Sequence, residues 1–161
     1  MPNLARRKSS SVVLVALILA TTMPDLAAGS VRVTPPQTRC FVTIGDAHIS
    51  TYIGEKSGQP AVKVNAQSKC KFSTDNLFLT VEIFKKGRFM RIYSVVKKDL
   101  SIQRVMLPDE VIEFKETYRL CKNRISTSYF GVISARIRII GRSHQTLKVR
   151  SEHDVSLACG T

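Results

Sequence analysis

Apolar and polar residues alternate along most of the chain beyond residue 40. The alternation is clearest between Tyr129 and Ile139, where Arg136 and Arg138 lie between apolar residues. A period of two predicts β-strands with one buried face, because successive side chains of a strand point to opposite sides. This pattern, or a short apolar run, predicts strands at residues 41–44, 48–53, 62–72, 77–83, 89–96, 101–107, 111–120, 129–139, 147–151 and 155–159.

Turn signals separate these strands, and the segment 85–88 predicts the tip of a hairpin. No segment shows the 3.6-residue stripe of an amphipathic helix. We expect about eight or nine short strands among these ten segments, and that number with regular turns is typical of an antiparallel, two-sheet β-sandwich. The chain contains no Trp, so the sandwich would be immunoglobulin-like in architecture but would lack the core Trp of antibody domains. The sequence therefore predicts an all-β fold.

The first 28 residues have the pattern of a cleaved secretory signal peptide. Basic residues at 6–8 precede an apolar run at 12–20, and small residues follow at 27–30. An uncleaved anchor is the alternative, but it needs roughly twenty consecutive apolar residues, and this run is shorter. We expect a signal peptide at 1–28, a flexible linker at 29–38 and one β-sandwich domain at 39–161. The mature chain would lack a transmembrane span and would be extracellular or periplasmic.

All four cysteines lie beyond the expected cleavage site, in a compartment where disulfides persist. Three pairings are possible, and we expect chain neighbours to pair, Cys40 with Cys70 and Cys121 with Cys159. A metal site is the alternative. No C-x-x-C pair or nearby Cys and His spacing supports one, so we expect neither a metal nor another cofactor.

The chain is strongly basic, with a formal net charge of +13. Removal of the expected signal peptide leaves 22 basic and 11 acidic residues, a charge of +11, so the basicity belongs to the mature domain. A charge of this size bears on solubility and on anionic partners rather than on fold. The expected partners are therefore an anionic envelope polymer, a glycan, a nucleic acid or an anionic surface.

Cations are concentrated on the last predicted hairpin. We expect a register that places Arg138 opposite Lys148 and Arg136 opposite Arg150 on the outer face of the sheet. Like charges directly across a strand pair are destabilising, so two such pairs in a row favour a bound anion. Together with Arg142 at the turn, these residues form the predicted anion patch, because Arg forks bind carboxylates and phosphates in bidentate fashion.

Structural explanations of these charges remain open. The hairpin face could be solvated and neutralised by acidic residues of an adjacent strand, namely Glu113, Glu116 or Glu152. A second basic group surrounds the earlier hairpin, where charges also protect sheet edges from pairing with other chains. Its members are Lys85, Lys86, Arg88 and Arg91, with Lys97 and Lys98 after the return strand.

Candidates for catalysis are few. Asp46 and His48 would share a strand face, His153 neighbours Asp154, and His144 lies in a predicted turn. The chain has no G-x-S-x-G, no H-E-x-x-H and no Gly-rich phosphate loop. The sequence therefore favours no catalytic residue. A small secreted hydrolase or nuclease built around the three histidines remains an alternative.

These patterns favour a secreted, non-catalytic binding protein that engages an anionic polymer or surface through a basic sheet face. A protein-binding module, such as an inhibitor, an adhesin or a host-interaction factor, is the first alternative. Such a module would use a loop or an edge strand. Salt separates the two, because polyelectrolyte binding weakens steeply with ionic strength.

Overall fold

A computed structural model describes residues 39–161, and the expected signal peptide and linker lie outside them. In the described part of the chain, nine strands and one short helix follow one another, with a 3₁₀ turn at Arg88–Met90. The elements are β1 (Cys40–Ile44), β2 (His48–Ser50), α1 (Thr51–Ser57), β3 (Ala61–Cys70), β4 (Thr74–Lys86), β5 (Ile92–Ile102), β6 (Val111–Leu120), β7 (Asn123–Ile139), β8 (His144–Arg150) and β9 (Val155–Gly160).

The first sheet is built around β3. Strands β1 and β2 pair in turn with one edge of β3, and β6 pairs with the other edge; all three pairings are antiparallel. Cys40 lies opposite Cys70, and Ala61 lies opposite Leu120. In this sheet β6 is therefore an edge strand.

The second sheet has the order β5-β4-β7-β8, and β9 pairs with the first half of β7. All its pairings are antiparallel. Leu77 of β4 lies opposite Ile137 of β7, and Lys86 lies opposite Ser128. Strand β5 is hydrogen-bonded only to β4 among the described strands, so it is an edge strand. It lies close to β6, the edge strand of the first sheet.

The core lies between the two sheets. Its fully buried aliphatic side chains include Val62 and Val64 of β3, Leu79, Val81 and Ile83 of β4, and Ile133 and Ile137 of β7. Each such side chain stabilises the fold by about 1.5–3 kcal/mol through burial. At Gly131 a Cβ would lie only 2.7 Å from Ile44 Cδ1, so a residue without a side chain lets Ile44 of the facing sheet pack closely. The two-sheet all-β sandwich is confirmed.

The two expected disulfides are present, and they have different roles. Cys40–Cys70 joins directly opposite residues of β1 and β3, within the first sheet. Cys121–Cys159 joins the end of β6 to β9, and so connects the two sheets. The buried hydroxyl of Tyr129 donates to the carbonyl oxygen of Cys159, which ties the second bridge to the middle of β7.

Two predicted strands are wrong in part. The segment 48–53 is a strand only to Ser50, whose Oγ accepts a hydrogen bond from the backbone N–H of Ile53 and so caps α1. This helix has seven residues, about two turns, which is too short for an apolar stripe to repeat. The segment 101–107 is not a separate strand, because β5 continues to Ile102 and only Met106 forms an isolated bridge beyond it.

The predicted register of the last hairpin is also wrong. Gly141, with φ of 71°, turns the chain immediately after β7. Arg138 therefore lies opposite His144, and Lys148 lies opposite Ser134. The observed register differs from the predicted one by four residues. An even shift keeps every side chain on its own face, so hydrophobic alternation cannot distinguish the two registers.

Candidate functional site

The like-charge pairs predicted on the last hairpin do not form. Arg136 lies opposite Thr146, and Arg150 lies opposite Val132. Arg138 instead forms a bidentate ion pair with Asp75, with Nε 2.6 Å from Oδ1 and Nη2 2.8 Å from Oδ2. The hydrogen bonds from Arg138 hold the pKa of the Asp75 carboxyl below its ordinary value.

The other hairpin cations also have neighbours within the chain. The guanidinium of Arg142 lies 4.2 Å above the ring of Phe72. Arg150 lies 4.2 Å above the ring of Phe130, and its Nη2 donates to Asp154. Within residues 39–161, no carboxylate lies within the 4.0 Å ion-pair distance of Arg136 or Lys148. Of the five predicted patch residues, Arg136 and Lys148 therefore have neither a carboxylate nor an aromatic ring as a partner within the described part of the chain.

Neutralisation of the hairpin comes from acids other than those expected. Asp75 pairs with Arg138, and Asp154 pairs with both Arg150 and Lys86. Of the expected acids, Glu113 pairs with Lys115 of its own strand. The sequence did not indicate these roles of Asp75 and Asp154. Both residues lie at or beside the start of a strand, where the alternation of apolar and polar residues does not predict which cation will be nearby.

A larger cluster of cations lines an open groove along the β5–β6 side of the sandwich. The groove has a volume of about 930 Å³ and is bordered by α1, β3, β5 and β6. This size falls in the range of small-molecule binding clefts. Its basic residues are Lys56, Lys63, Lys97, Lys98, Lys115 and Arg119.

Two of the groove cations occupy positions that alternation would give to core residues. Lys98 of β5 lies opposite Val81, and Arg119 of β6 lies opposite Val62. Both valines are fully buried, and directly opposite residues of an antiparallel pair project from the same face. The two cations therefore project from the core-facing sides of β5 and β6, yet both are exposed.

The groove carries a large excess of positive charge. Among the described residues that line it, Glu116 is the single acidic one, so six cations and one carboxylate give a formal charge of +5. Lys115 pairs with Glu113. In the described part of the chain, the other five cations have no carboxylate at ion-pair distance. Two exposed aromatic rings, Tyr52 and Tyr118, also line the groove.

Sequence reasoning missed this groove because its residues come from four elements that are distant along the chain. Lys97 and Lys98 were noted only as charges after a hairpin. A usable signal was present at Lys98 and Arg119, where cations replace apolar residues at core-facing positions. Such a local break in an otherwise consistent pattern marks either a functional surface or protection of a sheet edge.

The candidate catalytic residues converge only in part. Asp46 and His153 form a pair, with His153 Nδ1 2.8 Å from Asp46 Oδ2 and the backbone N–H of His153 donating to Asp46 Oδ1 at 3.0 Å. The hydrogen bond with Asp46 raises the pKa of His153, and the backbone N–H of His153 lowers the pKa of Asp46. His48 Nδ1 lies 3.2 Å from the carbonyl oxygen of Asp46, whereas His144 lies on β8 opposite Arg138.

The Asp46–His153 pair joins the β1–β2 loop to the β8–β9 loop and so connects the two sheets. Its imidazole makes no side-chain hydrogen bond to a hydroxyl or thiol among residues 39–161, so no nucleophile is paired with it there. The described residues also contain no group of three or more His, Cys, Asp or Glu placed to hold a metal ion.

Between residues 39 and 161, no helix is long and apolar enough to cross a membrane. No protein-family model matches the chain, and no curated protein has a significantly similar sequence. The groove is therefore interpreted from its own geometry and charge.

Proposed function

We propose that this is a secreted, non-catalytic binding protein and that the basic groove binds an anionic polymer. The observation that carries the proposal is the convergence on one groove of five cations without ion-pair partners among the described residues. The two disulfides are compatible with an oxidising, extracellular compartment.

The groove favours a polymer that bears repeated phosphates or carboxylates. Its cations come from α1, β3, β5 and β6, so they are spread along the cleft rather than focused on a single point. The guanidinium of Arg119 can hold one anionic group in bidentate fashion, while the lysines act as point charges. The rings of Tyr52 and Tyr118 offer surfaces for stacking against a sugar or a base.

The predicted hairpin patch (Arg136, Arg138, Arg142, Lys148 and Arg150) remains a second proposed contact for the same polymer. Arg138 and Arg150 must exchange their internal carboxylates for those of a ligand, which removes much of the gain from binding. Arg136, Arg142 and Lys148 need no such exchange, because no carboxylate of residues 39–161 lies at ion-pair distance from any of them. We therefore expect the groove to contribute more to affinity than the hairpin.

Elution from an immobilised heparin or nucleic-acid column tests this ranking. The groove variant Lys98→Ser/Arg119→Ser and the control variant Arg136→Ser/Lys148→Ser each remove one lysine and one arginine without breaking an ion pair. We expect the groove variant to elute at clearly lower salt and the control variant to elute close to the wild type.

Equal shifts of the two variants would mean that net charge alone controls retention, and they would refute the groove. A larger shift for the control variant would favour the hairpin patch instead. In either case, Lys98 and Arg119 would be explained as charges that protect the sheet edges.

A further inference from the structure

The tip of the β4–β5 hairpin exposes two large apolar side chains. Phe89 is 92% exposed and Met90 is 77% exposed, and both belong to the 3₁₀ turn between the strands. Ile92 and Tyr93 at the start of β5 are exposed as well. Because β4 and β5 pair from Leu77 to Lys86, this apolar group lies at the end of a long hairpin of the second sheet.

The backbone of the tip is unusual for these residue types. Phe89 has φ of 58° and Met90 has φ of 60°, a left-handed conformation that Gly, Asn or Asp adopts more readily. The backbone N–H of Gly87 donates to the carbonyl of Arg91 at 2.7 Å and closes the loop. A bulky residue in this conformation is strained. Neither side chain is buried in return, so folding alone does not explain Phe and Met here.

Two cations flank the apolar residues. Arg88 and Arg91 have no carboxylate at ion-pair distance among residues 39–161, whereas Lys86 pairs with Asp154 and Lys85 donates to the carbonyl of Thr161. The tip therefore combines two guanidinium groups, which have no ion-pair partner in the described part of the chain, with an exposed aromatic ring and an exposed thioether. An apolar group with a positive rim is typical of a surface that meets an apolar layer bordered by negative charge.

We propose that this hairpin tip docks on an anionic phospholipid surface, with Phe89 and Met90 inserted at the level of the headgroups. Arg88 and Arg91 then contact lipid phosphates, since long cationic side chains can extend from an apolar site to the charged layer. This inference does not depend on the groove, because it rests on different residues at another part of the molecule.

The absence of Trp from the chain makes the proposal directly measurable. Phe89→Trp places a single fluorophore at the tip, and its emission should move to shorter wavelength on addition of phosphatidylglycerol vesicles but not of phosphatidylcholine vesicles. Leu107→Trp is the matched control, because Leu107 is also exposed, at 66%. Met106, the neighbour of Leu107, forms a bridge with Thr74 at the start of β4. Leu107 therefore lies near the end of β4 that is opposite to the tip, about 40 Å from it along the strand.

A second variant separates docking from folding and from the groove. Phe89→Asn/Met90→Gly introduces two residues that readily adopt the left-handed conformation of the turn, so the hairpin should still fold. The variant should lower partitioning into phosphatidylglycerol vesicles about tenfold or more, because the apolar side chains are removed. The groove variant Lys98→Ser/Arg119→Ser, made in the Phe89→Trp protein, should leave the emission shift intact.

No emission shift from Phe89→Trp with vesicles that do bind the protein would overturn the inference. It would also be overturned if Leu107→Trp shifted equally, or if Phe89→Asn/Met90→Gly bound vesicles as well as the wild type. In those cases the tip would instead insert into an apolar pocket of a protein partner. None of these results depends on whether heparin or nucleic acid is retained by the groove.

Discussion

The two disulfides should contribute almost equally to stability although they occupy different places in the fold. Cys40–Cys70 closes a sequence separation of 30, and Cys121–Cys159 closes one of 38. On the chain-entropy model these loops correspond to about 3.7 and about 3.9 kcal/mol of stabilisation, respectively, at room temperature. The logarithmic dependence on loop length makes the difference only about 0.2 kcal/mol.

The test is urea unfolding of Cys40→Ala/Cys70→Ala and of Cys121→Ala/Cys159→Ala, each with the other disulfide oxidised. Alanine is used because all four cysteines are buried and a hydroxyl would introduce an unsatisfied polar group. Each variant should lose about 3–4 kcal/mol of unfolding free energy and roughly 10–20 °C in melting temperature. A loss below about 1 kcal/mol, or a difference between the variants above about 1 kcal/mol, would refute the loop-closure reasoning.

Two further predictions concern contacts between the sheets. The Asp46–His153 pair should stabilise the fold most between pH 3.8 and pH 6.5, the ordinary pKa values of Asp and His. Its stabilisation declines as pH falls through the lowered pKa of Asp46, and also as pH rises through the raised pKa of His153. Unfolding of Asp46→Asn across pH 3 to 9 checks this, and a stability difference from wild type that is constant with pH would contradict it. Gly131→Ala should lower the free energy of unfolding by about 1–3 kcal/mol, since the added Cβ forces Ile44 to move. Unfolding at neutral pH measures this loss, and an unchanged midpoint would show that the sheets accommodate a methyl group freely.

The fold class was predictable because each strand alternates clearly. The β7 positions from Tyr129 to Ile139 are buried at nearly every second residue, as the sequence indicated. The alternation within each strand is local, and so it can be read from one sequence. The expected disulfide pairing, one of three that the sequence left open, is the one observed.

Registers and convergent sites were not predictable in the same way. Two registers of the last hairpin keep the same side chains on the same face, and the turn at Gly141 determines which of them forms. Arg138 therefore lies opposite His144 and not opposite the predicted Lys148. The groove depends on how close the β5 and β6 edges come, which no spacing within either strand reveals. Lys98 and Arg119 at core-facing positions were the single readable hint.

The salt dependence of polyanion binding tests whether the groove is the binding site. A single-stranded oligonucleotide is titrated with the wild type and with Lys98→Ser/Arg119→Ser over a range of salt concentrations. Each lost phosphate contact should reduce the slope of log K against log salt by about 0.7, so removal of both cations should reduce it by about 1.4 and weaken binding at every salt concentration. Equal slopes and equal affinities for the two proteins would contradict binding in the groove.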